Sequence, residues 1–139
     1  MVGLVLVSHS AKLAEGITDL IAQMQPDVPV RAAGGMPDGT LGTSADVIGA
    51  AINAVDSAEG VLILLDLGSA AMSTEVALEL LSPEQRARVI VSDAPLVEGA
   101  VVAAMQAALG FSLAEVARSV EEARHFPKNV APALSGRGE

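Results

Sequence analysis

Gly3-Leu4-Val5-Leu6-Val7-Ser8-His9-Ser10 is the stretch on which the fold turns. The run from Gly3 to Val7 is apolar without alternation, the pattern of a strand covered on both faces in the middle of a parallel sheet. It stops at Ser8-His9-Ser10, and a helical pattern starts at once with Ala11. A histidine at the carboxyl end of a central parallel strand lies where open α/β sheets place their chemistry. A solvated histidine in a strand-to-helix loop is the plainer alternative, and the rest of the chain has to decide between them.

Outward from this stretch, strand and helix patterns alternate. Leu13, Ile17, Leu20, Ile21 and Met24 are spaced as one helix face over Ala11 to Met24, and Lys12, Glu15, Asp19 and Gln23 take the other side. Pro26 and Pro29 end that helix and open an extended segment, Val30 to Ala33. The run Gly34 to Thr43 is dense in turn residues, and Thr43-Ser44-Ala45-Asp46 fits a capping box ahead of Val47, Ile48, Ala51, Ile52 and Val55. Val61 to Leu65 repeats the first pattern, a buried strand that breaks at Asp66-Leu67-Gly68-Ser69 into a helix over Ala70 to Leu81. Ser82-Pro83 breaks that helix, Arg88 to Ser92 reads as a further strand, and a periodic helix follows over Leu96 to Leu109. Ser112-Leu113-Ala114-Glu115 is a second capping box, opening a last helix to about Arg124.

Four strands alternating with helices predict a doubly wound, four-stranded parallel sheet with helices on both faces. Right-handed crossovers make 2-1-3-4 the most economical strand order. The first and third strands are then neighbours, and their carboxyl ends carry His9 and Asp66. Residues 1–126 are expected to form one domain, and 127–139, with Pro127, Pro132, Ser135, Gly136 and Gly138, a disordered tail or linker.

Composition narrows the function classes. Of 139 residues 51% are hydrophobic and 1% aromatic, so the core is built from Ala, Val, Leu and Ile. The mean hydropathy of +0.50 is high for a soluble chain and suggests burial against another subunit. A net charge of −9 argues against nucleic acid or an anionic membrane as partner, and with no Trp or Tyr there are no platforms on which bases could stack. Cysteine is absent, which removes thiolate and zinc-finger chemistry. No apolar window is long enough to span a bilayer and no basic region precedes the first one, so the expected location is cytoplasmic.

A carboxylate beside an imidazole accepts the proton on Nδ1, fixes the tautomer and leaves the Nε2 lone pair as a nucleophile. His9 and Asp66 are the candidate catalytic pair. An Asp66 that merely caps the following helix is the alternative the residues leave open. Ser8, Ser10, Thr40, Gly42, Thr43, Gly68 and Ser69 are small donors near these positions and are candidates to stabilise a phosphoryl group, with ordinary turn and cap usage as the competing explanation for each. No phosphate-binding G-x-x-x-x-G-K-[ST] loop, no dinucleotide G-x-G-x-x-G and no paired metal-ligand histidines are present. The second histidine, His125, beside Phe126 and Pro127, is expected to be solvated or loosely packed.

The segments Val5 to Ser10, Gly34-Gly35 through Asp38 to Ser44, and Leu64 to Ala70 occur in order in a chain that resembles the phosphocarrier subunits (DhaM) of bacterial phosphotransferase-system-dependent dihydroxyacetone kinases. These are relatives of mannose-type enzyme IIA domains, and the resemblance covers roughly residues 1 to 124. Mannose-type transporters usually have Thr-His-Gly where this chain has Ser8-His9-Ser10, which favours the kinase branch. The resemblance implies a cytoplasmic homodimer that takes phosphate from HPr onto His9 and passes it to ADP held on the nucleotide-binding kinase subunit. A third subunit would hold the dihydroxyacetone. No metal and no tightly bound cofactor is implied, only covalent phosphate on His9. The competing readings are a sugar-transport enzyme IIA component and a flavodoxin-like binding or regulatory module with no covalent step. An Asp-phosphorylated receiver domain fits less well, because the first strand ends without the expected acidic pair.

Overall fold

The computed structural model of the chain describes residues 1–136. Its four strands are β1 (Gly3–Ser8), β2 (Val30–Gly34), β3 (Val61–Leu65) and β4 (Val89–Ser92). All pair in parallel, in the order β2-β1-β3-β4. The expected doubly wound topology is therefore the one observed, with β1 and β3 side by side at the centre.

Both faces of the sheet are covered, which is why the central strands show no alternation in hydropathy. On one face Leu4, Leu6, Leu62 and Leu64 pack against α1 (Ala11–Met24), α5 (Leu96–Ala108) and α6 (Leu113–Glu121). On the other Val5, Val7, Val61 and Ile63 meet α2 (Ala45–Val55) and α3 (Ala70–Glu79). With no large aromatic to fill space, the helices come close through small residues. Ala100, Ala103, Ala104 and Ala107 form the buried face of α5, and a Cβ on Gly99 would lie only 3.1 Å from Leu64 Cδ2.

Several local readings change. The buried face of α1 is Ala14, Ile17 and Ile21, whereas Leu13, Leu20 and Met24 are exposed. Alanine permits a closer approach to the sheet than leucine does, so the buried stripe is rotated from the one hydropathy picks out. The cap of α2 is Ser44, whose hydroxyl accepts the Val47 N–H, so the box expected to start at Thr43 begins one residue later and lacks its reciprocal acidic partner. Ser82-Pro83 ends the preceding helix and also starts α4 (Pro83–Arg86), with Ser82 as its cap. The capping box at Ser112 and Glu115 is present in both halves. After α6 a 3₁₀ turn covers Glu122–His125, and His125 is exposed. Within the stretch 127–139 read as a tail, Pro132–Ser135 form the short helix α7, and residues 137–139 lie outside those described. No helix among the described residues is long and apolar enough to cross a membrane.

Candidate functional site

The parallel register places Val7 opposite Leu65, so one step further along both strands Ser8 faces Asp66 and His9 follows. The Asp66 N–H continues the ladder onto the Val7 carbonyl at 3.0 Å. This brings together side chains that are 57 residues apart in sequence. His9 Nδ1 lies 3.0 Å from Asp66 Oδ1 and 3.2 Å from Oδ2, so the ring edge faces the middle of the carboxylate.

Asp66 is held from three further directions. Ser8 Oγ donates to Oδ2 at 3.0 Å, the His9 N–H donates to the same oxygen at 2.9 Å, and the Leu67 N–H donates to Oδ1 at 2.7 Å. Partial burial opposes ionisation of this carboxyl. The hydrogen bonds from the His9 N–H, the His9 ring, Ser8 and Leu67 together outweigh that penalty and hold its pKa below the usual carboxylate value. An ionised carboxylate can only accept, so the proton of a neutral His9 ring resides on Nδ1 and the Nε2 lone pair points outward. The His9 side chain is 30% exposed against 10% for Asp66, which gives an incoming group access to the nucleophile but not to its support.

Ser69 Oγ sits 2.9 Å from that Nε2. Ser69 occupies the N-cap position of α3, yet its side chain makes no capping bond, and it is turned to the histidine instead. Neither the Gly68 nor the Ser69 N–H has a partner among the described residues, so both remain available at the start of α3. Of these donors, Ser69 Oγ stands on the Nε2 side of the ring.

The other candidates have different partners. Ser10 Oγ caps α1 by accepting the Leu13 N–H. Thr40 Oγ1 donates to Asp38 within its own turn. Thr43 Oγ1 is 2.7 Å from Ser73 Oγ, joining the segment before α2 to α3, a partner the sequence did not suggest. The Gly42 N–H donates to the His9 carbonyl at 2.8 Å, and the Gly35 N–H to the Ser8 carbonyl at 3.1 Å. The loop between β2 and α2 thus grips the backbone of the site, and Gly42 (φ +138°) and Gly35 (φ +74°) have the left-handed conformations that favour glycine. Beside Asp66 a hollow of about 350 Å³ opens toward Asp93 and Arg124. Arg124 was not singled out in the sequence, because its bond to Asp93 is made across 31 residues.

Comparison with known proteins agrees with this arrangement. The EIIA-man family, the PTS system fructose IIA component, matches residues 3–117. The chain is 46% identical over 107 residues to phosphoryl donor subunit DhaM of PEP-dependent dihydroxyacetone kinase 2 from Listeria innocua, covering 76% of this chain and 86% of that one. It is 42% identical over 129 residues to the DhaM subunit of Escherichia coli, covering 90% of this chain but 27% of that protein. In three dimensions it resembles the crystal structure of the unknown-function protein EF1359, with a TM-score of 0.82 at 35% identity over 94% of this chain and all of that one. A family match over most of the chain, a relative of like length and a strand end that pairs histidine with aspartate lead to one conclusion: the chain belongs to the mannose-type enzyme IIA (EIIA-man) family, among its DhaM phosphoryl donor subunits.

Proposed function

We propose that the protein is a phosphohistidine carrier that accepts phosphate from phospho-HPr on His9 Nε2 and passes it to ADP bound on the nucleotide-binding subunit of a dihydroxyacetone kinase. The observation that carries this reading is the orientation of His9, with Nδ1 against Asp66 and Nε2 facing out to Ser69. As phosphorus arrives, the Nε2–P bond forms while the bond from phosphorus to the donor's nitrogen breaks. The Nδ1 proton stays between His9 and Asp66, and the ring's positive charge is balanced by the carboxylate. In the second transfer a terminal oxygen of ADP attacks phosphorus and Nε2 regains its lone pair. Such transfers pass through a loose, metaphosphate-like state, so the protein's contribution is positioning and charge stabilisation. Ser69 Oγ must leave the Nε2 lone pair when that lone pair becomes the bond to phosphorus. From there it can donate to a phosphoryl oxygen, as can the free amides of Gly68 and Ser69.

No metal or tightly bound cofactor enters this scheme, and the transferable group is covalent phosphate on His9. We place the protein in the cytoplasm as a homodimer. The support for the second subunit is the number of exposed large apolar residues, among them Leu13, Leu20 and Met24 on α1 and Val97 and Met105 on α5. The test is incubation with phosphoenolpyruvate, enzyme I and HPr, followed by mass analysis. One phosphate per chain is expected, labile to acid and stable to base, and absent from His9→Ala. Label that persists in His9→Ala, or maps to His125, refutes the assignment. Adding the ADP-loaded kinase subunit should discharge the phosphate. The fructose component named for the family favours a second reading, transfer to a sugar-transport subunit, and failure to discharge to ADP would support it.

A further inference from the structure

We propose that Ser8 is a positioning residue for phosphoryl transfer, whose buried hydroxyl fixes the Asp66 carboxylate so that His9 keeps its proton on Nδ1. This rests on the reading of His9 as the acceptor. Ser8 is 0% exposed, so its hydroxyl does not meet an incoming phosphoryl group. It has one proton, and that proton is given to Asp66 Oδ2 at 3.0 Å, while the oxygen accepts the Ser10 N–H at 3.0 Å. Ser8 is also the last residue of β1, paired with Gly34 in the sheet and gripped at its carbonyl by the Gly35 N–H, so the backbone that carries the hydroxyl is fixed by the sheet.

The effect on the histidine follows from the carboxylate's own freedom. The terminal torsion of an aspartate is broad, so the plane of the carboxylate is set by its partners rather than by the side chain. Here the Leu67 N–H holds Oδ1, and Ser8 Oγ and the His9 N–H hold Oδ2. With both oxygens anchored, His9 Nδ1 meets the carboxylate edge at 3.0 and 3.2 Å. Removing the Ser8 hydroxyl leaves Oδ2 one donor short and the Ser10 amide without its acceptor. Held then by the two main-chain amides alone, the carboxylate is fixed less firmly against the ring, and the neutral imidazole divides between its two tautomers. Only the one with the proton on Nδ1 has a lone pair on Nε2 to bond phosphorus.

The experiment uses Ser8→Ala and Ser8→Thr in the full chain, with circular dichroism to check folding. Two quantities are read: the single-turnover rate of transfer from phospho-HPr, and the imidazole ¹⁵N shifts of neutral His9 in the unphosphorylated protein. Ser8→Ala should slow transfer about tenfold, equivalent to ~1.4 kcal/mol, and show a mixture of tautomers. Ser8→Thr, which keeps the hydroxyl, should restore both. Where the added methyl prevents folding, Ser8→Cys, a weaker donor of similar size, should fall between parent and Ser8→Ala. A folded Ser8→Ala protein with a single Nδ1–H tautomer overturns the proposal, whether its rate is parental or reduced. The tautomer measurement requires no phosphate, so it decides the role of Ser8 even if the parent protein fails to accept phosphate and the carrier reading falls.

Discussion

Replacing Asp66 separates what the carboxylate does for His9 from what His9 does by itself. Asp66→Ala removes the acceptor that faces Nδ1 at 3.0 Å and leaves Nε2 chemically intact. A hydrogen bond to a charged group contributes ~1.5–3 kcal/mol. Felt fully in the transition state, that is a slowing of roughly ten- to two-hundred-fold. Asp66→Asn tests the same contact more sharply. Both oxygens of Asp66 face donors, Oδ1 the Leu67 N–H and the ring, Oδ2 Ser8 and the His9 N–H. An amide NH₂ therefore opposes a main-chain donor in either orientation, and in the Oδ1 place it also faces the ring, which must then accept at Nδ1. That moves its proton to Nε2 and removes the nucleophilic lone pair. Asp66→Asn should consequently transfer no faster than Asp66→Ala despite being nearly isosteric with the parent. The assay is single-turnover transfer from phospho-HPr, with circular dichroism on each variant. A folded Asp66→Asn protein working at the parental rate would show that the contact does not set the tautomer.

Other expectations follow from the same geometry. A Cβ on Gly34 would lie 2.5 Å from the Ser10 carbonyl oxygen and 2.8 Å from Ala11 Cα, so Gly34→Ala should force β2 from the start of α1 and cost about 1–3 kcal/mol; an unchanged melting temperature would contradict this. Leu64 is fully buried between the central strands and α5, and Leu64→Ala should cost about 2–5 kcal/mol in urea titration, a loss well under 1 kcal/mol being the contrary result. The depressed pKa of Asp66 means its stabilising bonds are fully present above the usual carboxylate pKa of about 4 and are lost as pH falls through the lower folded value. Asp66→Asn should therefore flatten that acid limb of stability, and identical limbs in parent and variant would refute it.

The fold was legible because each central strand is short, apolar and followed at once by helical spacing, and because right-handed crossovers leave few orders for four parallel strands. The pairing of His9 with Asp66 came from that order. What the sequence concealed were directions of side chains at single positions. Ser8 and Ser10 flank the same histidine, yet one is buried against Asp66 and the other caps a helix, since Ser8 is the last residue of β1 and Ser10 has already left the strand as the N-cap of α1. Ser69 has the residue type and position of a helix cap, and only the nearby ring shows why its hydroxyl is used elsewhere. Leucine spacing misplaced the buried face of α1, because the contact with the sheet is governed by size rather than hydropathy at Ala14. The four-residue helix at Pro83 is shorter than any periodicity can register.

The loop between β2 and α2 grips the backbone of Ser8 and His9 through main-chain amides, those of Gly35 and Gly42. Its side chains are free of that duty, and Leu41 is 78% exposed and Asp38 is also on the surface. Catalytic alignment and outward appearance are therefore written in separate alphabets, one in backbone conformation and one in side chains. Substitutions at positions 38 and 41 can alter the chemical face shown beside the histidine while the two amide contacts behind it stay in place. A lineage could refit this surface to a changed partner without relearning how to hold His9.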